Sequence, residues 1–356
     1  MVSQDHRWTL YPQAQFVALA QRWGTLNRQT ADIPFLASEF IQPLLSEFGS
    51  GEVRIAICTS GDQDIAMTIL VPGGVGIWST FQPSQLPLGP WLMRADVDVE
   101  TLAPSLIRSL PGWPLNLSLT QLDPQFCARP TTGSCTSTLD YIETPWLEMT
   151  GSFDDYWQAR GKNLRQNMAK QRRKLEADGI ALRLEEVTNA NQMLDVLADY
   201  GRLESAGWKS DGGTAIHPDN AQGRFYIAML RGFAARGAAR VYRYWFGEKV
   251  VAVDLCIEQG DTQVILKTTY DESYKAVSPA FLMRQDSFKQ LWDGGKIRRI
   301  EFYGKRMEWH TRWTDSARVL YHVNHYRWPI AASLHAWRSR RNSPVQPAQP
   351  AVAPEA

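Results

Sequence analysis

The length and composition of the chain describe a folded protein of two domains. Its 356 residues are 44% hydrophobic and 21% charged, which excludes a wholly disordered, collagen-like or coiled-coil protein. At about 100 to 200 residues per domain we expect two domains, each with its own core. No stretch approaches about 18 consecutive apolar residues and the first residues lack a long apolar run, so we expect a cytoplasmic protein without a signal peptide or a membrane span.

The net charge of +1 conceals two halves of opposite sign. Residues 1–150 hold no lysine and 7 arginines against 14 acidic residues, a net charge of −7, whereas the rest of the chain carries +8. Anionic ligands should therefore favour the C-terminal half. The 4 cysteines are too few for a disulfide scaffold and show no metal-binding spacing, so we predict no metal site.

The first half begins with helical periodicity and continues as an antiparallel meander. Helices are predicted at 12–23, 34–48 and 99–110, and strands at 53–58, 65–71, 75–80 and 115–119. Prolines and a Thr-Thr-Gly-Ser run discourage regular structure over residues 120–150, which we predict to be a connecting region. The domain boundary is accordingly placed near residue 150.

The second half opens with the most basic segment of the chain, a helical pattern over residues 153–178 with seven lysines and arginines. This segment is either a solvated or bracing helix or a contact for an anionic substrate or membrane. Further elements are predicted as strands at 180–187, 239–246, 250–258, 262–270, 299–303 and 317–325, and helices at 191–206, 220–236 and 278–292. Ser278 would cap the last helix and Pro279 would begin it. The two halves share an element order, which predicts a duplicated α+β fold.

The chain ends in a basic amphipathic stretch and a low-complexity tail. Residues 328–341 combine Trp, Ile and Leu side chains with arginines, a pattern that suits packing on the protein or contact with an anionic bilayer. Residues 342–356 are rich in Pro, Ala and Gln, so we predict a disordered tail.

The motifs of several large enzyme classes are absent from the sequence. It contains no GxGxxG, GxxxxGK[ST], GxSxG or HExxH, which disfavours dinucleotide binding, P-loop phosphoryl transfer, serine hydrolysis and zinc proteolysis. The start of the helix at residue 278 offers unpaired amides and the positive end of a helix dipole, which could hold a pyrophosphate. The residues concerned are Ser278, Ala280, Phe281 and Leu282.

Three stretches of the second half carry a family resemblance. They are the basic helix FDDYWQARGKNLRQNMAKQRRKLEADG, the run ESAGWKSDGGTAI from Glu204 to Ile216, and KTTYDESY from Lys267 to Tyr274, which leads to a Ser-Pro pair. Over about residues 150–325 they resemble the GNAT superfamily of acyl-CoA-dependent acyltransferases, in particular the branch grouped with cellulose-biosynthesis (CelD-like) acetyltransferases. The sequence departs from this pattern at Ala280, where glycine is usual, and in GKRMEWHTRW at residues 304–313.

The resemblance implies transfer of an acyl group from acetyl-CoA or another acyl-CoA to an amine or hydroxyl. In this fold two central strands part, and exposed amides bind pantetheine and polarise the thioester carbonyl. The implied donor-binding residues are Lys267, Thr268, Thr269, Ser278, Ala280, Phe281 and Leu282. Candidates for proton transfer are Glu204, Asp254, Asp271 and Tyr270. Structural alternatives stay open: Asp254 could face solvent, and Tyr270 and Asp271 could stabilise a turn.

Four further residues are candidates for binding the acceptor. Trp208 could stack on a sugar or anchor the core, and Lys209, like Lys267, could pair with a phosphate or with a nearby carboxylate. His310 and Arg312 would suit the phosphate of a nucleotide-sugar or a lipid-linked precursor.

These inferences combine into two tandem GNAT-like domains, each with a mixed, mostly antiparallel central sheet flanked by helices. Residues 1–150 would be a degenerate first domain, weakly similar to that of Fem-type peptidoglycan aminoacyltransferases, and residues 151–341 the acyltransferase domain. The resemblance implies a sugar, nucleotide-sugar or lipid-linked glycan acceptor in surface-polysaccharide synthesis, with peripheral contact to membrane-bound polysaccharide machinery left open. The alternatives are a Fem-like transferase that uses aminoacyl-tRNA and a non-catalytic module.

Overall fold

The computed structural model describes residues 6–205 and 216–333. Its helices are α1 (Phe16–Gln29), α2 (Ser38–Phe48), α3 (Val99–Ser109), α4 (Phe153–Ala159), α5 (Lys162–Ala177), α6 (Met193–Ser205), α7 (Ala221–Ala235), α8 (Pro279–Gly294) and α9 (Glu308–Thr311). Its strands are β1 (Arg7–Pro12), β2 (Arg54–Ser60), β3 (Gln63–Gly74), β4 (Ile77–Thr80), β5 (Trp91–Met93), β6 (Asn116–Leu122), β7 (Thr136–Glu148), β8 (Leu182–Val187), β9 (Ala239–Phe246), β10 (Lys249–Gln259), β11 (Thr262–Tyr270), β12 (Arg299–Glu301) and β13 (Ala317–Tyr326).

The strands form one mixed sheet that runs through both halves of the chain. Its order is β1-β2-β3-β4-β6-β13-β7-β12-β11-β10-β9-β8, with β5 beside β3. Strands β4 and β6 pair in parallel, as do β11 and β12, and the other pairs are antiparallel. Strand β13 returns from the end of the chain and lies between β6 and β7. This mixed sheet flanked by helices confirms the predicted α+β fold class.

The two halves share a hydrophobic core on one face of the sheet. Helices α1, α2, α6 and α7 contribute to this core, and the rings of Phe40 and Phe225 meet edge to face at 5.2 Å between α2 and α7. On the other face, α4, α5 and α8 cover the strands of the second half. Because only a short segment with a 3-10 helix at Glu272–Val277 separates α8 from β11, this layer fixes the surroundings of the end of β11.

The structure corrects two predictions near residue 150. The supposed connecting region contains β7, a strand of 13 residues that pairs with both β13 and β12. Pro145 lies within this strand opposite Ala317; neighbouring strands on both sides outweigh the weak local propensity. The basic segment is two helices, because Arg160 and Gly161 adopt extended backbone angles, with ψ of 157° and 134°.

Candidate active site

The sheet opens between β11 and β12. These strands pair at three positions only, Thr262–Val264 with Arg299–Glu301, and β12 then ends. Strand β11 continues to Tyr270 and stays paired with β10 on its other side. Within the described residues, the last six positions of β11 therefore have no strand beside them on the β12 side.

Two backbone features separate the strands. Tyr303, two residues beyond β12, has a φ of 48°, a left-handed conformation that bulky residues rarely adopt. Its hydroxyl donates to Asp123 at 3.2 Å and its ring packs edge-on against Phe35 at 5.0 Å. In β11 the pairing with β10 skips Leu266, and such a bulge bends its strand. The chain after β12 thus turns away while β11 bends at the opening.

The opening exposes particular amides of β11. The N–H of Asp271 donates to the carbonyl of Val251 on β10 at 2.8 Å. Because successive residues of a strand direct their N–H groups to opposite sides, the amides of Tyr270 and Thr268 point away from β10 and into the opening. The amides of Lys267 and Thr269 point toward β10, so these two predicted donor contacts are corrected.

A cavity of about 370 Å³ lies against this free edge. Its wall is formed by the end of β11, the start of α8 and the indole of Trp309. The lining residues are Thr268, Tyr270, Lys275, Ser278, Pro279, Ala280, Phe281, Arg284 and Trp309. Four residues predicted to bind the donor, Thr268, Ser278, Ala280 and Phe281, therefore meet at one cavity.

The start of α8 differs in detail from the prediction. Ser278 has a φ of 48° and its side chain does not cap the helix; instead Gln171 of α5 donates to its hydroxyl at 3.3 Å. The amides of Phe281 and Leu282 donate to the Ser278 carbonyl at 2.9 and 3.2 Å. A pyrophosphate would compete with that carbonyl for both amides, so neither is the free donor that was predicted.

Arg284 of α8 is a site residue that the sequence analysis missed. Its side chain is 2% exposed, and its Nη2 donates to Thr268 Oγ1 at 2.9 Å and to Asp254 Oδ2 at 3.2 Å. The guanidinium lies 4.7 Å from the centre of the Trp309 ring, and its buried Nε has no acceptor among the described residues. The sequence held one signal for this ion pair. Arg284 follows buried apolar residues in α8, and Asp254 lies within the apolar strand β10.

The structure removes two of the candidate bases. Asp254 is buried in its ion pair with Arg284, so it neither faces solvent nor reaches an acceptor. Asp271 accepts from the ammonium of Lys249 at 2.7 Å and from both the amide and the hydroxyl of Ser273. Although burial opposes ionisation, these hydrogen bonds lower the pKa of Asp271. Its role is to stabilise the turn after β11, the structural alternative for this residue.

Buried polar side chains of α6 and α7, which pack in the core shared by the two halves, lie close to β11. Tyr200 donates to the carbonyl of Thr268 at 3.5 Å, and burial together with the charge of Glu204 raises the pKa of Tyr200. Glu204 itself accepts from the amide of Ile216 at 2.8 Å. The ammonium of Lys267 lies 5.8 Å from the ring of Tyr226, and its contact with a phosphate stays a prediction.

The predicted acceptor residues have different outcomes. Trp208 and Lys209 lie outside the described residues. Burial and the charge of Arg284 lower the pKa of His310 to about 4, and its Nδ1 accepts from the amide of Met307 at 2.9 Å. His310 is therefore neutral, so it would meet a phosphate only as a hydrogen-bond donor and not as a cation; that contact stays a prediction.

Arg312 stays at the surface of the site. It pairs with Glu308 at 3.1 Å, and its guanidinium lies 5.8 Å from the Phe281 ring. A second hollow of about 560 Å³ adjoins Arg312 and the junction of α4 and α5. Its lining includes Arg160, Asn163, Asn167 and Asp315. The surroundings of Arg312 are therefore polar and partly basic.

The basic residues of α5 fall into two groups: one binds α8 and the other is exposed to solvent. Arg172 of α5 donates to Asp286 of α8 at 2.5 Å and also to Gln285, which fastens α5 to α8. The other face of α5 is exposed to solvent and carries Lys162, Lys170, Arg173 and Lys174. Both predicted roles are thus physically available to different residues of one helix.

Residues 6–205 and 216–333 contain neither a metal-binding cluster nor a membrane-spanning helix. No group of three His, Cys, Asp or Glu side chains is placed to hold a metal ion in this part of the chain. Its helices are also too short or too polar to cross a bilayer.

Comparisons with known proteins place this geometry in a family context. Residues 162–311 match the family model described as an acetyltransferase (GNAT) domain. No curated protein sequence gave a significant match.

Several solved structures share the fold at low sequence identity. The C-terminal domain of a putative lysylphosphatidylglycerol synthetase from Agrobacterium fabrum is 13% identical with a TM-score of 0.55, covering 91% of this chain and 96% of that one. L-PGS from Bacillus licheniformis is 11% identical with a TM-score of 0.53, covering 86% and 91%. FemX is 6% identical with a TM-score of 0.56, covering 89% and 98%. These solved structures show that the fold of the chain is shared. The family match shows that residues 162–311 are a GNAT-type acetyltransferase domain, which makes the chain an acyltransferase.

Proposed function

We propose that the protein transfers an acyl group from an acyl-CoA thioester, acetyl-CoA being the simplest, to an amine or hydroxyl. One observation carries the proposal: the free edge of β11 directs the amides of Thr268 and Tyr270 toward a cavity beside the start of α8. Extended pantetheine can hydrogen-bond to such an edge as a further strand would. Lys275 and the positive end of α8 would favour the phosphates at the mouth.

The free edge would also contribute to the chemistry. A backbone N–H directed at the thioester carbonyl stabilises the developing oxyanion, and one such donor is typically worth about 2.7 to 4 kcal/mol. Tyr270, 38% exposed beside the cavity, is the candidate that would protonate the departing thiolate. Glu204 is the candidate for accepting the proton of the acceptor, directly or through Tyr200, because its charge acts on Tyr200, whose hydroxyl reaches the Thr268 carbonyl at the free edge.

The proposed acceptor is a sugar, nucleotide-sugar or lipid-linked glycan precursor. This part of the proposal is supported by the CelD-like resemblance of the segment around Trp208 and Lys209. With acceptor in excess, Lys209→Ala should lower turnover of acetyl-CoA while leaving acetyl-CoA binding unchanged. Equal loss of turnover and of donor binding would contradict the assignment of this segment to the acceptor.

Transfer from an aminoacyl-tRNA is the second candidate function. The exposed basic face of α5 and the fold shared with FemX and the lysylphosphatidylglycerol synthetase domain favour it. Calorimetric titration with CoA, acetyl-CoA and tRNA at two salt concentrations separates the candidates. Micromolar acetyl-CoA binding with little affinity for tRNA supports the first. Strongly salt-dependent tRNA binding without acetyl-CoA binding supports the second, and binding of neither would contradict both candidates.

A further inference from the structure

Large apolar side chains are exposed together at one end of the N-terminal half. They come from the tip of the β3–β4 hairpin, the turn between α3 and β6, and the segment after β13. The end patch, as we name it, consists of Val75, Ile77, Trp113, Leu115, Trp328 and Ile330. Three of these side chains, Val75, Trp113 and Ile330, are 103%, 74% and 74% exposed.

Backbone contacts hold the three segments of the end patch side by side. The amide of Leu115 donates to the carbonyl of Gly76 in the hairpin tip at 2.7 Å. The amide of Arg327 donates to the carbonyl of Leu115 at 3.0 Å. The guanidinium of Arg327 lies 5.4 Å from the Trp113 ring and 6.0 Å from the Trp328 ring. The patch is therefore one continuous surface.

The end patch is presented by a fixed backbone. Trp113 has a φ of 52° and follows Gly112, with a φ of 77°; the left-handed conformation is unfavourable for a tryptophan. Arg327 Nε donates to the carbonyl of Pro114 at 2.8 Å, and its Nη2 donates to that of Ile107 at 2.6 Å. The indole of Trp113 is thus exposed on a strained turn. Apolar surface of this size is unfavourable in water unless another surface covers it.

We propose that the end patch docks on an anionic lipid bilayer. Tryptophan favours the interface between headgroups and acyl chains, where aliphatic side chains can insert beside it. Arg327 lies between the two indoles, and Arg108, next to Ile107, is exposed at the end of α3.

The charge distribution predicts how this docking depends on salt. The N-terminal half carries −7 overall, so attraction to anionic lipid must come from the few arginines at the patch. Such local attraction is screened within about 8 Å at physiological ionic strength, whereas insertion of apolar side chains is not. Binding should therefore need both anionic lipid and the apolar residues. This inference does not depend on the proposed acyl transfer.

Vesicle flotation of the full chain tests the proposal. The protein should float with vesicles of phosphatidylglycerol and phosphatidylcholine but not with phosphatidylcholine alone. The triple variant Val75→Ser, Trp113→Ser, Ile330→Ser should bind at least ~10-fold more weakly, because less apolar surface enters the membrane. The double variant Val17→Ser, Leu194→Ser, which changes apolar residues exposed elsewhere, should bind like the wild type.

Several outcomes would overturn the proposal. Failure of the wild type to float with anionic vesicles would do so, as would equal losses in the triple and double variants when both unfold at the wild-type temperature. Deletion of residues 334–356 should leave most of the patch-dependent binding, and complete loss would move the binding to that segment. Self-association that the triple variant abolishes, without vesicle binding, would identify a second copy of the chain as the occupant.

Discussion

Arg284 and Thr268 join α8 to the unpaired end of β11 through one hydrogen bond of 2.9 Å between Nη2 and Oγ1. The same guanidinium group binds Asp254 of β10 and lies 4.7 Å from the centre of the Trp309 ring. One buried cation therefore connects a helix, two strands and the segment after β12. Arg284 therefore fixes β11 on one side of the opening. On the other side, Tyr303 directs the chain after β12 away from β11.

Removal of the Arg284 charge should lower the free energy of unfolding. Arg284→Leu leaves Asp254 buried without its cation, and we expect a loss of roughly 3 to 5 kcal/mol in the free energy of unfolding. The double variant Asp254→Asn, Arg284→Gln should lose clearly less, because no isolated charge is left. Urea unfolding of both variants checks this, and an equal loss in the two would show that charge pairing is not the reason.

Tyr270→Phe should separate chemistry from donor binding. The change removes only the proposed proton donor, so we expect kcat to fall by roughly 10²-fold while the affinity for acetyl-CoA stays unchanged. Tyr274→Phe is the matched control, since Tyr274 packs its ring against Phe246 at 5.3 Å and has no proposed part in the reaction. Steady-state release of CoA provides the measurement. Unchanged kcat in Tyr270→Phe would exclude this residue as the acid.

The buried histidines should make the protein less stable in mild acid. Burial and Arg284 lower the pKa of His310 to about 4, and burial also lowers the pKa of His322 and His325. The unfolded chain then binds more protons than the native protein between about pH 6.5 and 4, so stability falls as the pH falls.

Urea unfolding across that pH range measures the effect. His310 alone can contribute a slope of at most ~1.4 kcal/mol per pH unit. His310→Gln should therefore show a smaller loss between pH 6.5 and 4.5 than the wild type, although its stability at pH 7.5 can differ. Identical pH slopes for the two proteins would contradict the neutral, buried state of His310.

Local sequence predicted the second half of the chain well, since its periodicity and turn residues agree with the structure. Strands β9 and β11 have the predicted bounds, and α8 begins at Pro279 as expected. These elements have strong β-branched and aromatic runs, glycine turns or a Ser-Pro start, so local chemistry and tertiary structure favour the same result.

The sequence could not reveal features that depend on distant partners. Strand β7 exists because β12 and β13 lie beside it, despite Pro145. Arg284 enters the site only because Asp254 is brought under α8 by the β10–β11 pairing. The opening was expected from the family resemblance alone, and its cause, the left-handed Tyr303 fixed by Asp123 and Phe35, joins residues far apart in the chain.

The most direct test of the account compares the amides of Thr268 and Thr269. In protein labelled with ¹⁵N-threonine, the Thr268 amide should exchange with solvent rapidly and become protected when acetyl-CoA is added, because it faces the opening. The Thr269 amide, directed toward β10, should be protected in both states. Slow exchange of Thr268 without ligand, or unchanged rapid exchange when acetyl-CoA is bound, would contradict the claim that this edge of β11 receives the acyl donor.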